Sequence, residues 1–241
     1  MLSNINIFDI LFLDIETVPA EPDFTKLPEH VKEFWEKRSS KFRKENESAA
    51  DVYGKAGLYA EFGKVVCISA GIINEANRKY LFRVKSFYGK KEKQILSEFS
   101  EMLSNFIAKK EVHLCAHNGK EFDFPYLSRR MLINEIELPG ILDTAGKKPW
   151  ETRFLDTMDL WKFGDFRYYI SLDHLADVFG IETPKYEMNG SQVSEVYWKE
   201  DDLQKIARYC EQDVYCVAQI MLKFKGLDLI HPENIQSLTG S

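Results

Sequence analysis

The sequence predicts a mixed α/β fold, a central sheet flanked by helices. Two observations carry that expectation. Three β-rich apolar runs come early, at 5–15, 65–73 and 78–87, and suggest a meander. After them, amphipathic helical stretches alternate with short apolar strands, with crossovers that fit helices packed on a sheet. The 241 residues, 44% of them hydrophobic, suffice for a buried core, and they predict one domain over 1–241 with a helical insertion around 22–60.

The elements follow in order. Ile5 to Ile15 reads as a buried strand ended by Thr17-Val18-Pro19. Residues 22–60 are polar and charged, helical around Glu29 to Lys44, with no strand pattern. Val65–Ile73 and Arg78–Phe87 read as strands separated by a turn at Asn74-Glu75-Ala76-Asn77. A helix is expected over 92–108, because Ile95, Leu96, Phe99, Leu103 and Phe106 recur on one face. Val112–Ala116 is a short buried strand, followed by a helix over 122–132 and a fifth strand at Arg153–Leu160. Ser171 opens a helix that Gly180 stops, and Asp201 with Gln204 reads as a capping box for a last helix through Lys223.

Composition excludes several classes. The longest apolar stretch, Val65–Ile73, falls well short of the roughly 20 residues a membrane span needs. The first charges are Asp9 and Asp14 rather than a basic leader, and the four cysteines form no Cys-x-x-Cys pair. These features predict a cytoplasmic protein with reduced thiols, no zinc site and no membrane partner. A net charge of −6 argues against a bulk basic nucleic-acid binder, yet leaves room for an acidic, cation-filled site beside a local basic patch.

Three segments bring carboxylates where chemistry could use them. In Leu11-Phe12-Leu13-Asp14-Ile15-Glu16-Thr17, strand alternation sends Asp14 and Glu16 to one side. Two acids at the end of an apolar strand are costly unless a hard cation such as magnesium or manganese sits between them; a strand end meeting solvent is the other reading. In HNGKEFDFPYL, Asp123 falls in the first turn of a helix, where the helix dipole alone favours an acid. In Arg208-Tyr209-Cys210-Glu211-Gln212-Asp213, Tyr209 and Asp213 share a helix face at the edge of an apolar stripe, or form a surface pair. Four convergent carboxylates would repel one another without cations, and two-metal phosphoryl transfer requires such a set.

The segments LFLDIET, HNGKEFDFPYL and YCEQDV resemble, in this order, the three exonuclease motifs of the DEDD superfamily. Tyr209-x-x-x-Asp213 is similar to its tyrosine-bearing branch, and Asn118 with Phe122-Asp123 is similar to the second motif of the family B polymerase group. LDTMDLW and SLDHLADVFGI also resemble the superfamily pattern, so the likeness spans about residues 7 to 225. The resemblance implies an RNase H-like fold with a five-stranded mixed sheet and a 3′–5′ exonuclease acting on single-stranded or frayed DNA ends. It implies two Mg2+ or Mn2+ ions held by Asp14, Glu16, Asp123 and Asp213, with Tyr209 orienting the attacking water and Thr17, Asn118 and Phe122 meeting the substrate. RNA trimming is the alternative activity, and an inactive binding module of the same fold is a third. No polymerase region follows the third motif, so proofreading would need a DNA polymerase or repair partner.

Lys37 to Lys44 holds five basic residues and no acid, with Trp35 and Phe42 interleaved. That composition suits phosphate contacts with base stacking, or simply a solvated helix face. Arg129-Arg130 and Lys147-Lys148 are weaker versions. His113 and His117 read as structural, and Asp156 as a supporting acid.

Overall fold

A computed structural model describes residues 2–165, 167–182 and 188–240. Strand β1 (Ile10–Pro19) pairs antiparallel with β2 (Gly63–Ala76), and β2 with β3 (Lys79–Tyr88). Strands β4 (His113–Ala116) and β5 (Phe154–Asp156) add in parallel on the other side of β1. A short β6 (Ile235–Ser237) pairs in parallel with β3 and completes the order β5-β4-β1-β2-β3-β6. The sheet therefore has six strands among the described residues, one more than expected. The added strand is three exposed residues with too little apolar pattern to register in the sequence.

Alternation along β1 organises the core. Leu11, Leu13 and Ile15 face α2 (Glu92–Ile107) and α3 (Asp123–Ile133), packing with Leu96, Phe99, Leu103, Phe124 and Leu127. Ile10 and Phe12 face α7 (Leu203–Phe224) and pack with Val214, Val217, Ala218 and Met221. Asp14 and Glu16 continue this second row, so the pleat that buries Phe12 under α7 also turns both acids toward it.

Several expectations are corrected in detail. Residues 7–9 form a 3-10 turn, so β1 starts at Ile10 rather than Ile5 and runs on through Pro19. The β2–β3 turn is Asn77-Arg78, with φ of 52° and 59°; both residues are left-handed, as a two-residue hairpin with right-handed strand twist requires. The fifth strand stops at Asp156, whose carboxylate accepts from Met158 and Asp159 N–H and so starts helix α4 (Thr157–Lys162). Helix α5 (Leu172–Val178) begins at Ser171 as expected. A three-residue α6 (Val193–Glu195) runs into a π turn ending at Asp201, whose φ is 57°; Asp202, not Asp201, caps α7 by accepting from Lys205 N–H.

The 22–60 segment is an insertion with its own small core. Helix α1 (Glu29–Ser39) buries Trp35 against Val52, Tyr53 and Ala56, and the Trp35 indole N–H donates to the Ala49 carbonyl at 2.8 Å. A 3-10 helix, Tyr53–Leu58, then docks on the end of β1, where the Thr17 hydroxyl donates to the Gly57 carbonyl at 2.8 Å. The docking needs glycine twice. An added Cβ at Gly57 would lie 3.0 Å from the Val18 backbone, and one at Gly63 would overlap the Tyr126 hydroxyl. Gly63→Ala should therefore cost about 1–3 kcal/mol, read as a lower urea midpoint with unchanged slope.

Candidate active site

The acids gather at the carboxyl ends of the parallel strands β1, β4 and β5, where open α/β sheets leave a crevice. Pairing of β1 with β4 ends at Phe12 opposite Cys115. Beyond that point the Ile15 N–H donates to Asp123 Oδ1 at 3.2 Å, drawing the first residue of α3 to the backbone between Asp14 and Glu16. From the other side comes α7, where the Cys210 thiol donates to the Asp14 carboxylate at 3.3 Å and to the Asp14 carbonyl at 3.4 Å. One ligand atom each from Asp14, Glu16 and Cys210 lie within 4.8 Å of one another. Tyr209, one turn before Asp213, hydrogen-bonds its carboxylate.

Two braces hold this geometry. Asp156 is buried at the end of β5 and accepts from four backbone N–H groups: Asn118 at 2.9 Å, Lys120 at 3.1 Å, Met158 at 2.9 Å and Asp159 at 3.3 Å. It fixes the loop that delivers Asp123, the supporting task expected of it. On α7, Glu211 accepts from the Ser86 hydroxyl at 2.9 Å, the Ser237 hydroxyl at 3.1 Å and the Thr239 hydroxyl. The Ser86 and Ser69 hydroxyls lie 2.7 Å apart, and Ser69 is the cross-strand partner of Asp14, so α7 is tied to the sheet beside the acids.

The electrostatics are those of crowded acids out of water. Burial, then the charges of Asp123 and Asp213, hold the Asp14 carboxyl well above the usual range. Burial, then Asp14 and Asp213, do the same to Glu16. Burial pushes Asp123 up to about 7, against the opposing pull of backbone hydrogen bonds. The Tyr209 phenol is raised by burial and by Asp213, Glu16 and Asp14. All five residues singled out in the sequence thus sense one another across three separate segments.

The other expected residues divide. Thr17 is engaged with Gly57, and the Phe122 ring packs on Tyr126 with centroids 5.3 Å apart. Asn118 sits at φ 62°, and its buried side-chain oxygen has no hydrogen-bond partner among the described residues, so it can still receive one. Trp35 and Phe42 are corrected: Trp35 is fully buried in the insertion core, and the partly buried Phe42 packs against it with its ring stacked on Tyr59 at 6.0 Å, so the core claims both rings. Arg130 is corrected too, since its guanidinium grips Glu92 at 2.8 Å and 2.5 Å and the Ala60 carbonyl at 2.8 Å. His117 is structural as expected, with Nε2 donating to the Ile170 carbonyl at 2.9 Å. Cys210 had read only as one member of an apolar stripe; its position one residue after Tyr209 on an inward helix face was the available signal.

The acid cluster thus sits at the strand ends of a six-stranded mixed sheet flanked by helices. A family model described as a predicted 3′–5′ exonuclease related to the exonuclease domain of PolB matches residues 58–229, and the chain belongs to that family. The match begins after β1, so Asp14 and Glu16 join the site through the sheet pairing rather than through that match. Among solved structures, the family B DNA polymerase of the hyperthermophilic archaeon Pyrobaculum calidifontis is similar in fold, with a TM-score of 0.55 at 17% identity. The similarity covers 90% of this chain and 24% of that polymerase. Comparison with curated proteins gives no match. Among the described residues, no helix is long and apolar enough to cross a membrane.

A carboxyl whose folded pKa is raised stabilises the fold fully below its ordinary pKa and loses that contribution as pH climbs through the raised value. For Asp123 the window runs from the ordinary 3.8 to about 7. In EDTA the urea midpoint should accordingly fall between pH 5 and pH 8, and fall less in Asp123→Asn. A midpoint that rises over that range contradicts the clustering.

Proposed function

We propose that this chain is a cation-dependent 3′–5′ exonuclease that releases nucleoside 5′-monophosphates from single-stranded or frayed DNA 3′ ends. The observation that carries it is the convergence of Asp14, Glu16, Asp123, Asp213 and Tyr209 on one largely buried cluster. The whole of 1–241 acts as one such unit, with 22–60 as its insertion.

The donor set fits hard divalent cations. Carboxylate oxygens are the ligands magnesium and manganese prefer, and a cation offsets both the burial and the neighbouring charges that raise these acids. Two such ions, when bound, supply activation of water and charge for the departing 3′ oxygen. Asp14, Glu16, Asp123 and Asp213 hold them. The Cys210 thiol is a soft donor and serves instead to orient Asp14 by hydrogen bond. Tyr209 keeps its proton at neutral pH, because its environment pushes the phenol still higher, so it positions the attacking water rather than deprotonating it. The open acceptor of Asn118 and the edge of Phe122 lie on the loop that carries Asp123, where a terminal nucleotide would meet them. A pure binding module would gain nothing from this many repelling charges.

The test is a 5′-labelled DNA strand and its RNA equivalent, each with manganese and with EDTA. Stepwise shortening of DNA from the 3′ end, abolished by EDTA, is the expected result; RNA shortened faster than DNA would reassign the substrate. Asp123→Ala or Asp213→Ala should remove at least about 99% of cleavage while leaving the EDTA melting temperature unchanged or higher, since one repelling charge is gone. Magnesium or manganese at 100 times its dissociation constant should stabilise the wild-type protein by about 2.7 kcal/mol, seen as a raised melting temperature absent in Asp213→Ala.

A further inference from the structure

Insertion helix α1 has two faces. Trp35 and Ser39 face the insertion core, fully buried, while His30, Phe34 and Lys37 lie at i, i+4 and i+7 on the exposed side. With Arg38, Lys41 and Phe62 they line a groove of about 520 Å³, into which one carboxylate, that of Glu61, also projects. Phe34 is 63% exposed. Arg38 lies over the Tyr59 ring at 4.4 Å, which fixes the guanidinium in place. Arg43 is paired with Glu36 at 2.6 Å, whereas no carboxylate pairs with Lys37 or Lys41 among the described residues. Three cations and an exposed ring thus share one concave surface on a chain whose net charge is −6.

The groove lies on the insertion that directly follows the strand carrying Asp14 and Glu16. The Ala20 N–H donates to the carbonyl of Phe62, a groove residue, at 2.9 Å. Ala20 follows Glu16 by four residues, about 13 Å of extended chain. A strand whose 3′ end lay at Asp14 and Glu16 could therefore place phosphates and bases a few nucleotides back in the groove. We propose that this groove is a track for single-stranded DNA, with Lys37, Arg38 and Lys41 meeting backbone phosphates and Phe34 stacking on a base. The inference deepens the exonuclease reading and rests on it for direction. Backbone cations with an aromatic platform bind a single strand without reading its sequence, which suits an enzyme that must accept every terminal nucleotide. The track also answers an electrostatic difficulty. The acid cluster repels phosphates until cations fill it, so attraction has to come from elsewhere on the surface.

The experiment compares wild type, Phe34→Ala and the pair Lys37→Gln/Lys41→Gln. Binding of fluorescent dT20 is followed by anisotropy in EDTA, and hydrolysis of the p-nitrophenyl ester of thymidine 5′-monophosphate is followed in manganese. All the substituted side chains are exposed, so melting temperatures should not move. Phe34→Ala should weaken dT20 binding at least about fivefold. The lysine pair should weaken it about tenfold or more and make the slope of log affinity against log salt shallower by about 1.4. Ester hydrolysis, which needs only the acid cluster, should keep the wild-type rate in every variant. Affinity and salt slope equal to wild type in both variants overturn the track. An ester that the wild type never cleaves strikes instead at the exonuclease reading, and the anisotropy comparison still decides the groove.

Discussion

The structure turns on the repulsion held at the seam between β1 and α7. A strand whose even-numbered residues dive under a helix would ordinarily carry apolar side chains to its end, as Ile10 and Phe12 do. Here the row continues as Asp14 and Glu16, and the facing helix answers with Asp213 and Tyr209 rather than leucines. Burying several acids without counter-charge costs free energy, so other interactions must hold the seam closed. Asp156, gathering four N–H groups, and Glu211, gathering three hydroxyls, are two acids that brace it. Neither brace spends its carboxylate on the cluster itself.

This division of labour explains why acids alike in sequence behave differently in space. Asp156 and Asp123 both sit at the start of a helix that follows a strand or its loop. Asp156 is saturated by backbone donors. Asp123 takes a long bond from Ile15 and is left facing other carboxylates, which is where a cation can gain from it. Counting acids would not separate them; counting the donors each already receives does.

Much of this was legible in the sequence. Period-2 alternation placed Asp14 and Glu16 on one side of a strand, and the four-residue spacing of Tyr209 and Asp213 put them on one face of a long helix. Resemblance of the three motifs supplied the family. Less legible were features decided by tertiary context. The strand at β6 is too short and exposed to show a pattern, and Asp156 ends its strand by capping a helix that begins one residue later. The basic run at Lys37–Lys44 was visible, but which aromatic beside it faces outward was not. Trp35 and Phe42 turned inward to give an isolated insertion a core, and Phe34, one residue from Trp35, took the outward position. A polar segment lacking strands gives no hint of which aromatic it will bury.

The register of β1 on β2 shifts between Glu16 and Thr17. Such an irregularity bends and twists the strand locally, so Thr17, Val18 and Pro19, still paired with Val65, Lys64 and Gly63, run on at a new angle past the second acid. The ladder that aims Asp14 and Glu16 is thereby set off by one irregular step from the stretch of β1 on which the insertion docks through Thr17 and Gly57. The bulge is thus a joint, with both acids on its sheet side and the anchor of the inserted lobe on the other.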